Sequence, residues 1–462
     1  FYATTVREAD RLHREFEIDA GREDPHGTLA AVVSRARVAY RTLANRVQRE
    51  FIRHLERLGW PPEGRLNNAD VFDTRVTPLL RESGRRVAML LIDALRYELG
   101  IDLIKELDAE GQVVLEAAFA PLPTVTPVGM AALLPGAAQA LRVRRTEDGP
   151  RPVLGDEPLL TVAQRMQMLR ARYGARFAER PLADFTADGA DPGPAVDLFV
   201  LRSTELDSDF EWNPEAAPGR IAHMLRRIRI AVQQLRKLGF GHVVIVADHG
   251  FFLNTALAPG DVCGKPAGTW SVVHERLLLG DGGGDSSNWV LPAEKLGIRG
   301  DYTQAAGPRA LVAYRGGQRY LHGGASLQET MVPVIQVRLR VPEREYRGGP
   351  RITLSYRDGA RKITGRRPSI VVTAGDPDLY SGGASVELLL EAHDRDGQIV
   401  GEAQPGGHVS HATRTISIRP GETLPVTLRM DDDFEGRFTV KALAPETRTA
   451  FATLDLETAY MV

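Results

Sequence analysis

The segment HVVIVADHG, residues 242–250, decides how this chain is read. An unbroken apolar run from Val243 to Ala247 stops at Asp248-His249-Gly250. A strand covered by helices on both faces of its sheet reads in this way, because neither face needs polar residues. Asp and Gly are common turn formers, so a strand end with a turn explains part of the pattern. It does not explain an imidazole beside the carboxylate.

Two other stretches repeat the texture. RRVAMLLIDALRYELG (85–100) runs apolar into Asp93, and AVDLFVLRSTELD (195–207) does the same before Asp207. Between the second and third runs, RIAHMLRRIRIAVQQLRKLG (220–239) places Ile221, Leu225, Ile228, Val232 and Leu235 on one helical stripe, with Gly239 as a stop. Strand and helix alternate, which predicts an α/β domain with a largely parallel sheet and flanking helices over 86–340.

The flanks differ. Residues 28–58 predict a helix, with Leu29, Val32, Val33, Ala36, Tyr40, Leu43, Val47, Phe51 and Leu55 on one face. Arg35, Arg37, Arg41, Arg46 and Arg49 occupy the other, as a solvated face or as a surface for an anion or a partner. Residues 1–85 are thus expected to be an N-terminal helical segment. Segment 255–306 breaks the α/β rhythm; GDGGGDSSN (280–288) reads as a flexible loop in an insertion or lid. Beyond RVPEREYRGGP (340–350), short alternating runs separated by Gly, Pro and Asp predict an immunoglobulin-like β-sandwich over 349–462, with a hairpin tip at Asp396-Gly397.

The 462 residues are too many for one ordinary domain. A net charge of −2, from 58 basic and 60 acidic residues, gives no overall electrostatic case for nucleic acid or membrane as the main partner. The single cysteine, Cys263, excludes an internal disulfide and a cysteine-based zinc cluster. With neither a signal peptide nor an apolar run of membrane-spanning length, the expected location is the cytoplasm, although the chain begins at Phe1 and not at Met.

In open α/β sheets ligands gather beyond the C-terminal ends of the strands. Asp93, Asp207 with Glu211 four residues on, and Asp248-His249 all fall there, and RYLHGGASLQETMVP (319–333) adds His322 in a Gly-rich turn. Four carboxylates and two imidazoles are competent metal ligands. PLPTVTPVGMAALLPG (121–136) places Thr124 and Thr126 just before a predicted helix. A threonine there caps the helix or, if activated, serves as a nucleophile, and the helix N-terminus favours a phosphate beside it. Arg96, Tyr97 and Glu98 read equally as helix-face residues or as groups orienting ligands. Glu205 and Asp209 are rival ligands in the same helix, Glu329 is a candidate support for His322, and His223, His242 and His274 read as core or surface residues.

Taken in order, LLIDALRYE, PTVTPVGMAALLPG, LDSDFE, ADHGF and YLHGGASLQETMVPV resemble the PglZ family of bacterial phage-resistance (BREX or Pgl) systems, within the alkaline phosphatase superfamily, over about 87–337. The resemblance implies an alkaline-phosphatase-like core that holds two divalent metal ions, usually zinc, around a Ser or Thr nucleophile. It assigns Asp93, Thr126, Asp248 and His249 to one site and Asp207, Glu211 and His322 to the other, with Thr126 as nucleophile. Many superfamily members carry His where this chain has Glu211, so the second site is expected to be harder and to admit Mn2+ or Mg2+ as well as Zn2+. The implied function is a metal-dependent phosphodiesterase acting on nucleotides or nucleic acid, with other phage-defence subunits as partners and no membrane. The competing reading is an interaction subunit whose metals only hold its core; Thr126 favours the enzyme.

Overall fold

The computed structural model describes residues 2–23, 28–82, 85–256, 261–339, 352–375, 385–410, 414–445 and 448–460. They fall into two compact units, Phe1–Val341 and Pro342–Val462. The stretch RVPEREYRGGP at 340–350, beyond which the sequence texture changes, lies outside the described residues.

The first unit is built on a six-stranded sheet: β1 (Val87–Ile92), β2 (Gly111–Phe119), β3 (Phe177–Pro181), β4 (Leu198–Ser203), β5 (His242–Ala247) and β6 (Met331–Leu339). The strand order is β2-β6-β5-β1-β4-β3. β5, β1, β4 and β3 pair in parallel, and β6 runs antiparallel to both of its neighbours. Every residue of β1 is buried, which is why its sequence shows no alternation. Helix Ile221–Lys237 turns Ile221, Met224, Leu225, Ile228, Val232 and Leu235 into the core and stops at Gly239, whose φ of +83° suits glycine. The register sets the site: Ile92 lies opposite both Ala247 and Ser203. The residues that follow these three, among them Asp93 and Asp248, therefore emerge side by side at the C-terminal edge of the sheet.

Two expectations need correction. Helix Ala30–Leu58 forms, but Leu29, Val32 and Leu43 are 53%, 50% and 45% exposed; the buried face is Ala44, Gln48, Phe51, Ile52 and Leu55. Its N-terminal half faces helix Arg7–Glu23 through polar pairs, Arg37 with Glu17 at 2.7 Å and Tyr40 with Asp10 at 2.7 Å, so apolar periodicity does not set its phase. Arg37 and Arg41 are tied up in ion pairs, with Glu17 and Asp261. The loop expected at 280–288 is confined to residues 283–287, and the insertion around it is a sheet. Strands Gly268–His274, Leu277–Gly282, Asn288–Pro292 and Gln304–Pro308 make a four-stranded antiparallel sheet over Leu277, Leu279, Trp289 and Ala305, and Gly280–Gly282 lie within a strand. No described helix is long and apolar enough to cross a membrane.

The second unit has nine described strands with its own apolar core, including Ile370, Leu390, Leu428 and Val440. Strand Thr423–Met430 alternates buried and exposed residues, as expected for sheets with one wet face. Strands Val386–His393 and Ile399–Ala403 form a hairpin whose turn holds Gly397 at φ +79°. Because each unit has its own core, a chain cut after Val341 is expected to fold and to melt cooperatively, as measured by calorimetry. Aggregation of the shortened chain on expression would show that residues 342–462 are needed for folding.

Candidate active site

Asp93 leaves β1 with its N–H bonded to Ser203 O at 2.9 Å. Ala94 then takes a left-handed conformation, φ +57°, which is costly for a residue with a Cβ. That turn aims the Ala94 N–H at Asp248 Oδ1, 3.1 Å away, and the His249 N–H reaches the same oxygen at 2.9 Å. Asp248 is thus held by backbone donors from two strand ends. Helix Thr126–Ala132 begins with Thr126 and lies directly against Asp248: a Cβ added at Gly129 would stand 2.8 Å from Asp248 Cβ.

Four side chains converge. Thr126 Oγ1 is 3.3 Å from Asp93 Oδ1 and 3.3 Å from His249 Nε2. His249 Nε2 is 3.6 Å from Asp93 Oδ1 and 3.4 Å from Asp248 Oδ2. Two ligands bound at about 2.1 Å on one tetrahedral ion lie about 3.4 Å apart, so these separations suit a shared metal. Thr124, the rival hydroxyl, is fully buried and donates to Gly324 O at 2.7 Å, which leaves Thr126 as the hydroxyl in the cluster.

A second group adjoins the first through the stacked rings of His249 and His322, with centroids 4.6 Å apart. His322 Nε2 lies 3.8 Å from Glu211 and 3.9 Å from Asp207. Asp207 also accepts a hydrogen bond from Tyr320 at 2.5 Å. His274 joins here: its ligand atom and those of Glu211 and His322 all lie within 4.8 Å of one another. Sequence reasoning gave His274 no partner. It stands on strand Gly268–His274, outside the α/β alternation, and nothing local in the sequence marks it.

The protonation pattern of the imidazoles fits metal ligation. Nδ1 of His249, His322 and His274 faces the carbonyl oxygens of Gly250 at 3.0 Å, Thr124 at 3.2 Å and His322 at 3.3 Å. A carbonyl only accepts, so Nδ1 carries a proton and Nε2 is the nitrogen turned to the site, the orientation typical of metal-bound histidine. Burial, then the neighbouring His322, lowers the His274 pKa to about 4, so it is neutral at physiological pH. Asp248 Oδ2 and His322 Nε2 are buried without hydrogen-bond partners among the described residues. Burial, then the facing Asp248 carboxylate, pushes Asp93 well above the usual carboxylate range, and burial pushes Asp248 up. Crowded buried carboxylates, orphaned ligand atoms and imidazoles with Nε2 turned to them fit divalent cations.

Other candidates are engaged elsewhere. Glu205 pairs with Arg227, and Asp209 with Arg220. Glu329 holds Arg276 at 3.0 Å and the Gly324 N–H at 2.9 Å, and so supports the turn that carries His322 without touching its ring. Arg96 is buried between Asp10 and Glu98 and stacks over Phe251, a structural role. Asn68, which sequence reasoning missed, donates to Ala247 O at 2.8 Å and fixes the end of β5.

Known proteins resemble the chain as follows. Residues 71–182 and 215–337 match the family model described as the BREX system PglZ alkaline phosphatase-like domain. The alkaline phosphatase-like protein BrxZ of Escherichia coli O9:H4 (strain HS) is 26% identical over 306 residues, covering 60% of this chain and 33% of that protein. The alkaline phosphatase-like protein PglZ of Bacillus cereus (strain H3081.97) is 25% identical over 294 residues, with the same coverage. The chain therefore spans about a third of the length of the curated relatives it matches. Among solved structures, murine ectonucleotide pyrophosphatase/phosphodiesterase 5 in an inactive form with AMP aligns with a TM-score of 0.39 and 9% identity, over 54% of this chain and 87% of that one. Phosphonoacetate hydrolase from Sinorhizobium meliloti 1021 aligns with a TM-score of 0.35 and 15% identity, over 55% and 90%. With its sheet, its strand-end carboxylates and the family match over both halves of the core, the chain belongs to the PglZ family of alkaline phosphatase-like proteins.

Proposed function

We propose that this chain is a metal-dependent phosphodiesterase acting on nucleotides or nucleic acid in bacterial phage defence, with Thr126 as its nucleophile. The observation that carries this reading is the Thr126 hydroxyl at 3.3 Å from both Asp93 and His249, beside two buried ligand atoms, Asp248 Oδ2 and His322 Nε2, without hydrogen-bond partners among the described residues. A scaffold needs no hydroxyl there. Asp93, Asp248 and His249 would hold one divalent ion with Thr126. Glu211, His322 and His274, with Asp207 beside them, would hold the other. Bound ions lower the pKa of a coordinated hydroxyl and offset the charge that develops on phosphoryl oxygens. Thr126 supplies the attacking oxygen from the first turn of its helix, and Asp248, fixed by two backbone N–H groups, keeps the ligand row in register with it. Other subunits of the defence system are the expected partners.

The test is turnover of bis-p-nitrophenyl phosphate paired with elemental analysis of the purified protein. Hydrolysis that disappears on chelation and returns with Zn2+ or Mn2+ supports the reading. A metal-replete protein inert toward diesters would favour the scaffold. His274 changes what is expected of the second site, because a second imidazole offsets the hardness of Glu211. Zinc titrated into stripped protein should load two classes of site. His274→Ala should weaken one of them by at least about tenfold and leave the other unchanged, as read by calorimetry. Unaltered zinc binding in that variant would remove His274 from the ligand set and leave Asp207 in its place.

A further inference from the structure

A cleft of about 140 Å³ opens beside Thr126, between helix Val162–Tyr173 and the end of β4. Leu91, Met130 and Met166 give it apolar walls; Arg202 and Glu205 also line it but are paired with Glu179 and Arg227, which leaves Arg165 as its cation without an ion-pair partner among the described residues. Arg165 is only 6% exposed, and its Nη1 is anchored on the carbonyls of Leu159 and Leu160 at 2.9 Å. No carboxylate among the described residues lies within ion-pair distance of it, and the acidic charges that act on it from further off are those of Asp248 and Asp93. A buried guanidinium without a counter-ion is costly, so this one is built to receive an anion. The volume also has a natural measure, since apolar cavities of about 150 Å³ hold one benzene ring. The groove continues past Arg202 toward Gln167 and Arg170.

Resting on the phosphodiesterase reading, we propose that this cleft is the subsite for the retained arm of the diester, an aromatic or heteroaromatic ring, with Arg165 against the phosphoryl oxygens. In-line displacement sends the departing oxygen to the side opposite the attacking hydroxyl. The cleft that contains Thr126 therefore holds the arm that stays. A bond forms from Thr126 Oγ to phosphorus, and the bond from phosphorus to the departing oxygen breaks. The departing alcohol or phenol takes up a proton. Water then cleaves the Thr126–phosphorus bond, restores the hydroxyl and releases a monoester that still carries the retained arm. A phosphate monoester has no such arm and gains from the cleft only the Arg165 contact to its phosphoryl oxygens.

Three esters with one leaving group test this on the 462-residue chain: p-nitrophenyl phosphate, methyl p-nitrophenyl phosphate and phenyl p-nitrophenyl phosphate. Relative to their reactivity toward hydroxide, the phenyl diester should exceed the methyl diester in kcat/KM by about 10-fold or more, the effect of burying one ring. Ala183→Phe, which narrows the half-buried rim of the cleft, should abolish that preference while the methyl diester and the monoester stay within about twofold. Equal kcat/KM for the two diesters in the unmodified protein, or a variant that lowers all three esters alike, overturns the subsite. If no ester turns over at all, the phosphodiesterase reading falls and the cleft is judged by calorimetry. Phenylphosphonate binding about 10-fold tighter than methylphosphonate upholds a ring-plus-phosphoryl site, and equal binding rejects it.

Discussion

Replacing Asp248 by Asn is expected to strip metal from the centre and abolish turnover while making the metal-free fold more stable. The amide keeps the size of the carboxylate and an oxygen for the Ala94 and His249 N–H donors, so the strand ends keep their geometry. What it removes is a negative charge in a fully buried position beside Asp93. Without that charge, bound metal should fall by about one equivalent and diester turnover by at least about a thousandfold. The stability change runs the other way. Burial raises the folded-state pKa of Asp248, so its ionisation at neutral pH works against folding. The same sign makes the stripped parent protein more stable as pH falls through the window between the raised folded pKa and the ordinary carboxylate value. The variant lacks part of this penalty and should melt a few degrees higher than the stripped parent. Elemental analysis, reporter turnover and calorimetry of the stripped proteins measure the three effects. Full metal content with full activity would remove Asp248 from the ligand set.

Thr126→Ala should leave folding and metal content nearly intact and lower diester turnover by about a hundredfold or more, because it removes the attacking oxygen outright. Thr126→Ser restores a hydroxyl at the same position and should recover most of the rate. The neighbouring threonine supplies the contrast. Thr124 is fully buried and spends its hydroxyl on Gly324 O, so Thr124→Val should cost about 1–3 kcal/mol of stability and leave the chemistry in place. An active Thr126→Ala protein alongside an inactive, well-folded Thr124→Val protein would exchange the two roles.

The sequence speaks clearly where physical demands are local. Strands β1, β4 and β5 were readable because burial on both faces leaves an uninterrupted apolar run, and the carboxylate that ends each run, or follows it by one helical turn, marks the edge of the sheet. Glu211 and His322 could be nominated from residue type and, for Glu211, its spacing from Asp207. The phase of helix Ala30–Leu58 was not readable, because a polar partner helix decides which side of its first half is covered. The sheet within 268–308 hid behind glycines that sequence reasoning assigns to loops; at Gly307 the missing side chain makes room for the Trp289 ring, 2.5 Å from where a Cβ would stand. His274 was invisible because its neighbours arrive through strand pairing and the turn at His322, both remote in sequence.

Gly129 has a consequence for how the centre works. Where helix Thr126–Ala132 meets Asp248 there is no room for a methyl group, so main chain rests on main chain. The spacing between the Thr126 hydroxyl and the carboxylate row is then set by van der Waals contact, as one outcome of folding. Little reorganisation is left for the reaction itself, and electrostatic stabilisation is most effective when its dipoles are already in place. Under the proposed function, such a centre changes its substrate range through the clefts around it while the Thr126–carboxylate spacing stays fixed.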